Sequence, residues 1–369
     1  MMDINKIANP GALGTSPYVP GKSTKEVKEE LGLEKVIKMA SNESAEGPSQ
    51  LAKEALHSLE DELHIYPDAV SRDLREALSQ RLGCDTEEIT VSNGADGVIY
   101  NLGMAMIGDG DEIVIPEVTF PLYATITKIM RGTVVSTPMD GYRFDLDAME
   151  KAITDKTKMV CLVNPNNPTG DALERDRLIE LLKRIPKDVL IVIDEAYIDF
   201  VSPEKRLGSV ELFKEGMDNL FILRTFSKIY GLAGCRVGYG IGDREIISLI
   251  HRIKPPFNVS LVGERVALAA LGEEGRAERT VEAMNKEKAY YYGELETMGL
   301  TYVESHTNFI LIDTGRDAKT VFQKLMNKGF IVRPATGFGL TTCIRVTLGK
   351  HEENSAFMQA FKEIMENLG

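Results

Sequence analysis

The stretch "RTFSKIYGLAGCRVGY", residues 224–239, gathers side chains that could do chemistry. Lys228 carries an amine, Thr225 and Ser227 carry hydroxyls, and Arg236 stands eight residues after the lysine. An amine condenses readily with a carbonyl, and a guanidinium grips oxyanions in a fixed fork. Taken singly, Lys228 also reads as a solvated turn residue and Arg236 as a surface strand residue. Upstream, Asp194 ends the apolar run "VLIVI". A carboxylate there lies near the buried centre of a sheet and needs a cation, a metal or a protonated heterocycle. A structural salt bridge or helix cap is the plain alternative. "SNGAD", residues 92–96, joins a strand to a helix through a glycine. Its free N–H groups and helix dipole suit a phosphate, although an ordinary N-cap turn has the same look. Jointly, Thr225, Ser227, Arg236 and the amides of "GAD" form a credible anion cradle beside a carboxylate and an amine.

These residues need elements to position them. Short runs rich in Val and Ile alternate with amphipathic helical patterns from about residue 50 to 245. The strands are "EITVSNG", "DEIVIPE", "TVVSTPM", "MVCLVNPNNPTG", "VLIVIDEAY" and "NLFILRTFSK". That pattern predicts a mostly parallel sheet covered on both faces by helices. In such sheets ligands bind beyond the carboxyl ends of the strands, which is where all the groups above fall. "CRVGYGIG" follows too soon for a parallel crossover and is expected to run antiparallel. Helical patterns are read at 49–64, 68–83, 245–270 and 275–298. "TYVESHTNFILIDT", "GFIVRPA" and "CIRVTLG" then predict a smaller α+β domain. The division expected is an N-terminal arm and charged helix over 1–45, a large domain over 46–255 and a small domain over 256–369. The arm is read as extended up to the helix "STKEVKEELG", and as packing on the small domain and a partner subunit.

Composition bounds the function. A length of 369 residues suits two domains, and 27% charged residues suit an ordinary globular chain. A net charge of −13 argues against nucleic acid, where cations must neutralise phosphates. It makes each basic residue near a strand end more telling. Four scattered cysteines without a CxxC pair fit a reducing compartment, and no metal site is expected. No secretion signal or membrane span is read, so the expected location is cytoplasmic.

The ordered motifs "SPYVPGKS", "IKMASNES", "YPD", "SNGADG", "PEVTFPLY", "NPNNPTG", "VIDEAY", "RTFSKIYGLAGCRVGY", "HTNFILI", "GFIVRP" and "CIRVTLG" cover nearly the whole chain. In this order they resemble the fold-type-I, pyridoxal-phosphate-dependent aminotransferases, and within them the histidinol-phosphate subgroup. The resemblance implies a seven-stranded sheet with one antiparallel strand. It implies that Lys228 forms a Schiff base with pyridoxal 5'-phosphate and moves the substrate proton, and that Asp194 holds the pyridine proton. By the same likeness Asn167 and Tyr197 bond the ring oxygen, and Phe120 stacks on the ring. Ala95, Asp96, Thr225, Ser227 and Arg236 cradle the phosphate. Tyr66 reaches that phosphate from a neighbouring subunit, which makes the protein a homodimer. Arg333 and Arg345 hold the substrate's anionic end, with Tyr18 and Asn308 nearby. The implied reaction is transamination between L-histidinol phosphate and 2-oxoglutarate, giving imidazole-acetol phosphate and glutamate, in histidine biosynthesis. Two related activities remain open: an aromatic amino-acid aminotransferase and a phospho-amino-acid decarboxylase. The chain departs from the family's patterns in "NESAEG" at 42–47 and in Gly97 after "GAD". A peptide bond before a proline of "NPNNPTG" is a candidate for the cis form.

Overall fold

The computed structural model describes residues 2–17 and 20–368. Its large sheet has seven strands: β1 (Ile89–Asn93), β2 (Glu112–Pro116), β3 (Thr133–Thr137), β4 (Thr157–Val163), β5 (Leu190–Asp194), β6 (Leu220–Thr225) and β7 (Val237–Ile241). Their order is β1-β7-β6-β5-β4-β2-β3. β7 pairs antiparallel with β1 and β6, while the other neighbouring pairs are parallel. This is the sheet the sequence predicts, with the antiparallel strand where the short connection required it.

All five residues of β5 are buried, because helices cover both faces. Strand periodicity then sorts its neighbours. Ile191 and Ile193 enter the core on one face, together with Leu220 and Ile222 of β6. Leu190 and Val192 enter the opposite core with Phe221 and Leu223. Continuing that alternation puts Asp194 and Thr225 on the second face, and Glu195 and Arg224 on the first. The contacts agree. Arg224 Nη2 lies 2.7 Å from Glu195 Oε2, and Ser209 Oγ donates to Glu195 Oε1 at 2.6 Å. The helix Gly94–Met106 packs on the second face through Val98, Ile99 and Leu102. Its N-terminus therefore lies on the same side as Asp194 and Thr225.

The second sheet contains β8 (Thr301–Tyr302), β9 (Phe309–Asp313), β10 (Arg333–Pro334) and β11 (Cys343–Thr347), in the order β8-β9-β11-β10, all antiparallel. Its core includes Tyr291, Phe309, Phe357 and Phe361 from the helices Arg276–Thr297 and His351–Glu366 and from the sheet. Val27 and Ala40 pack with Met326 and Ile331, and Ile37–Lys38 pairs with Phe330–Ile331. Residues 24–40 thus lean on the smaller domain.

Four local expectations change. The pattern over 245–270 forms two helices, Arg244–Ile253 and Leu261–Leu271, because Pro255 and Pro256 cannot continue the first. The second of these packs with the large-domain core through Val266, Ala267 and Ala270, although the expected division gave it to the small domain. The pattern over 49–64 is helical only at Gln50–His57, where Ser58 Oγ turns back onto the Ala55 carbonyl. The arm is not simply extended. It forms short helices at Ile4–Ile7 and Pro10–Leu13, capped by Asp3 and Asn9, and Asn9 Nδ2 reaches the Ile129 carbonyl of the large domain.

The Glu195–Arg224 pair ties β5 to β6 one residue past Asp194. Breaking a buried pair leaves one charge uncompensated and costs about 3–5 kcal/mol. Glu195→Gln is expected to lose stability on that scale in urea unfolding, while Glu211→Gln on a nearby exposed helix position changes it by less than about 0.5 kcal/mol. An equal effect for both would refute the role given to the pair.

Candidate active site

Four strand ends converge. β1 leads through Asn93 into the helix at Gly94, β4 into Asn164–Gly170, β5 ends at Asp194 and β6 at Thr225. Asn164 N donates to the Asp194 carbonyl at 2.9 Å, and the Asn164–Pro165 bond is cis. Arg236 stands just before β7, so the antiparallel strand begins at the same edge of the sheet.

Asp194 is 3% exposed. Tyr123 Oη donates to its Oδ2 at 2.9 Å and Ala196 N to its Oδ1 at 3.0 Å. Neither donor carries charge, and among the described residues no cation lies within salt-bridge distance. Burial pushes the carboxyl up to about 6, against the opposing hydrogen bonds. Tyr123 comes from "PEVTFPLY" but was not singled out from the sequence. Nothing local marks a tyrosine on a helix as the partner of a carboxylate 71 residues on.

Beside it lies the cradle. Thr225 Oγ1 donates to Ser227 Oγ at 3.0 Å, and Ser227 N donates back to Thr225 Oγ1 at 3.1 Å. Arg236 Nη2 reaches Asp96 Oδ2 at 3.4 Å, and Arg236 itself holds a left-handed backbone at φ 54°. The walls are close. A Cβ on Gly94 would stand 2.6 Å from Arg236 Nη2, and one on Gly238 would stand 2.4 Å from Ala95 N. Ala95, Asp96, Thr225, Ser227 and Arg236 therefore lie together at this edge of the sheet. A Cβ on Gly97 would stand 2.5 Å from Ser92 Oγ, which already accepts from Asn101 and Asn258. That crowding accounts for a glycine after "GAD" here.

Lys228 Nζ donates to the Asn42 carbonyl at 3.2 Å and stands 5.6 Å above the Tyr197 ring. Tyr197 is buried, and its Oη accepts from Asn42 Nδ2 at 2.8 Å. Asn42 N donates to Thr347 Oγ1, and Asn308 Nδ2 donates to the Asn42 carbonyl at 3.0 Å. Asn42 thus links the lysine turn to the small domain, and sequence reasoning missed it. Its signal was a polar residue in a Ser-Asn turn, and its backbone is left-handed at φ 54°. The "NESAEG" segment beginning there runs close over the lysine turn, where a Cβ on Gly231 would stand 2.1 Å from the Gly47 carbonyl.

Asn167 accepts from Arg345 Nη1, whose Nη2 donates to the Ala40 carbonyl at 2.7 Å. Arg345 lies over the Phe309 ring at 5.2 Å. Arg333 and Arg345 are directly paired across β10 and β11. Phe120 packs at the edge of the second-face core. Its loop is tied to 164–170 by Asn166, which accepts from Thr119 and donates to the Val118 carbonyl. Tyr66 is not joined to this cluster. It is 78% exposed and stacks on Phe257 at 4.7 Å. Tyr18 lies outside the described residues.

The raised carboxyl of Asp194 gives a prediction for the cofactor-free protein. Below about pH 4 the group is protonated whether folded or unfolded and costs nothing. The penalty grows as pH rises towards 6 and is complete above it. Asp194→Asn is expected to stabilise the cofactor-free chain at pH 7 by up to about 3 kcal/mol, with no gain at pH 3.5. Urea unfolding at the two pH values tests this, and a loss of stability at pH 7 would contradict it.

Comparison with known proteins agrees with the geometry. The model of the class I and II aminotransferase family matches residues 34–361. The histidinol-phosphate aminotransferase of Moorella thermoacetica is 43% identical over 353 residues, covering 96% of this chain and 92% of the relative. That of Bacillus velezensis is 42% identical over 351 residues, covering 95% and 97%. The crystal structure of the Sinorhizobium meliloti histidinol-phosphate aminotransferase with pyridoxal-5'-phosphate superposes with a TM-score of 0.91 at 25% identity, covering 98% of each chain. The chain belongs to the class I and II aminotransferase family, among its histidinol-phosphate aminotransferases.

Proposed function

We propose that this protein transfers an amino group between L-histidinol phosphate and 2-oxoglutarate with pyridoxal 5'-phosphate, as a cytoplasmic homodimer serving histidine biosynthesis. The observation that carries the reading is the buried Asp194 carboxylate, which lacks a cation among the described residues and faces the side of the sheet that holds the hydroxyl–arginine cradle. A pyridinium nitrogen would satisfy the carboxylate, and a phosphate would fit the cradle of Ala95, Asp96, Thr225, Ser227 and Arg236. The bound cofactor would supply an electron sink for the carbanion formed at the substrate Cα.

The residues of the chain supply the rest. Lys228 would hold the cofactor at rest and, once displaced, take the proton from the substrate Cα. The Asn42 carbonyl keeps its amine beside the Tyr197 ring, within reach of one site. Asn167 and Tyr197 would donate to the ring oxygen, and Phe120 would cover the ring face. Arg333 and Arg345 would grip the substrate phosphate in one half-reaction and a carboxylate in the other. Asn308, and Tyr18 from the arm, complete that end.

Mixing the yellow holoenzyme with L-histidinol phosphate alone is expected to bleach the cofactor band, and 2-oxoglutarate to restore it. L-phenylalanine and O-phosphothreonine should act far more slowly. Faster bleaching by phenylalanine would reject the substrate, and no bleaching by any amine would reject the reaction.

The exposed Tyr66, with Leu63, Ile65 and Phe257 also exposed around it in sequence and space, supports a subunit interface. If Tyr66 serves the partner's site, each site combines Lys228 of one chain with Tyr66 of the other. Mixed and reassociated Lys228→Ala and Tyr66→Ala proteins should then recover activity towards about a quarter of wild type, since half the dimers carry one intact site. Activity no greater than the mean of the two separate variants would rule out sharing.

A further inference from the structure

A cavity of about 580 Å³ lies between the large and small domains, and Lys228, Asp194 and Arg236 are not among its walls. Its walls are the segment 199–206, the helix Arg276–Thr297 and the turn 304–306. Lys288, on that helix, is 5% exposed and lines the cavity. Among the described residues its ammonium makes no hydrogen bond and no salt bridge. Burial pushes it down to about 8, and Glu304 is the opposing charge. An ammonium largely withdrawn from water, with no hydrogen-bond acceptor beside it, is costly, and an anion bound in the cavity would lower that cost.

Other cations share the walls. Arg81, Lys205 and Arg206 line the cavity, with His306. Arg206 donates to the carbonyls of Val201 and Asp199, and Arg81 to that of Leu271. Among the described residues none of these three is in a salt bridge. The carboxylates present are Asp199, Glu278 and Glu304. Three arginine and lysine side chains besides Lys288 therefore line the cavity against three carboxylates, in a chain whose net charge is −13.

We infer that this interdomain cavity binds a phosphomonoester, with Lys288 as the anchor of its phosphate. The donors rise from separate segments, which suits a tetrahedral dianion better than a planar carboxylate. The volume lies in the range of metabolite pockets and leaves room for an organic body beside Phe200 and Tyr292. Occupancy would bear on the reaction centre. Segment 199–206 begins two residues after Tyr197, and His306 N donates to the Gly170 carbonyl at 2.7 Å, in the loop that carries Asn167. An anion bridging helix Arg276–Thr297 to segment 199–206 would bias how the small domain sits on the large one.

Calorimetric titration of the holoenzyme at pH 7 with inorganic phosphate tests this. Arg333→Met is used as background, because it weakens phosphate binding at the proposed substrate end. That variant is expected still to bind about one phosphate per chain, and adding Lys288→Met should weaken binding at least about tenfold. Arg81→Gln with Lys205→Gln, both at exposed positions, should weaken it several-fold without risk to the core. The cofactor band should be unchanged in all of them. The proposal is overturned if Arg333→Met alone abolishes phosphate binding, or if Lys288→Met leaves affinity and stoichiometry as they were. Malonate serves as the dicarboxylate arm, and binding as tight as that of phosphate would overturn the phosphate assignment.

Discussion

The desolvated carboxylate of Asp194 is the constraint on which the rest depends. β5 is buried on both faces, so its last residue is almost wholly withdrawn from water. Tyr123 and Ala196 satisfy lone pairs without supplying charge. That is an unfavourable arrangement, and the sheet holds it by what it does on the other face. There the next residue, Glu195, is paired with Arg224 and bonded by Ser209. Alternation along two parallel strands thus separates an unmatched charge from a matched pair. The matched pair fixes the spacing of the strand ends, and the unmatched charge is left directed at the site.

A second constraint joins the domains. Asn42 sits in a left-handed conformation that few residues besides glycine adopt without strain. Its carbonyl accepts from Lys228 and Asn308, while its side chain bonds Tyr197 and Thr347. Glycine would keep the backbone but lose the two side-chain bonds. A β-branched residue would lose the backbone. Asparagine meets both demands, which explains why one short residue can hold a turn of the large domain against Thr347 and Asn308 of the small one. The close approach at Gly231 rests on that residue alone: a Cβ there would stand 2.1 Å from the Gly47 carbonyl, whereas one on Gly47 would meet nothing within 4 Å.

Legibility followed the range of the interactions. The parallel sheet, its antiparallel strand and the cluster of strand-end groups were readable, because period-2 burial and short connections are local signals. Lys228, Asp194 and Arg236 stood out because each is polar where the strand pattern ends. Tyr123 and Asn42 were not readable, since their roles rest on contacts 71 and 305 residues away in the chain, to Asp194 and Thr347. The break at Pro255–Pro256 was local and available, and the long amphipathic pattern on either side concealed it. The stop at His57 was not available, because apolar spacing continues through Leu59 and Leu63 without a glycine or proline.

The paired arginines show why the two domains must act as one frame. Arg333 and Arg345 occupy opposed positions on neighbouring antiparallel strands, so their side chains share a face. An anion bound between them, as the proposed function requires, would bridge the two strands. Arg345 does not wait in an open conformation. Asn167, the Ala40 carbonyl and the Phe309 ring orient it beforehand. Asn167 lies in the loop after β4, next to the strand that ends at Asp194. The guanidinium that would hold the substrate's anionic end is therefore referenced to the same strand ends as the buried carboxylate. A shift of the small domain would move the anion grip relative to Lys228, and catalysis that depends on reacting atoms held within a few tenths of an ångström would respond to it. Seating the small domain is in this sense part of assembling the site.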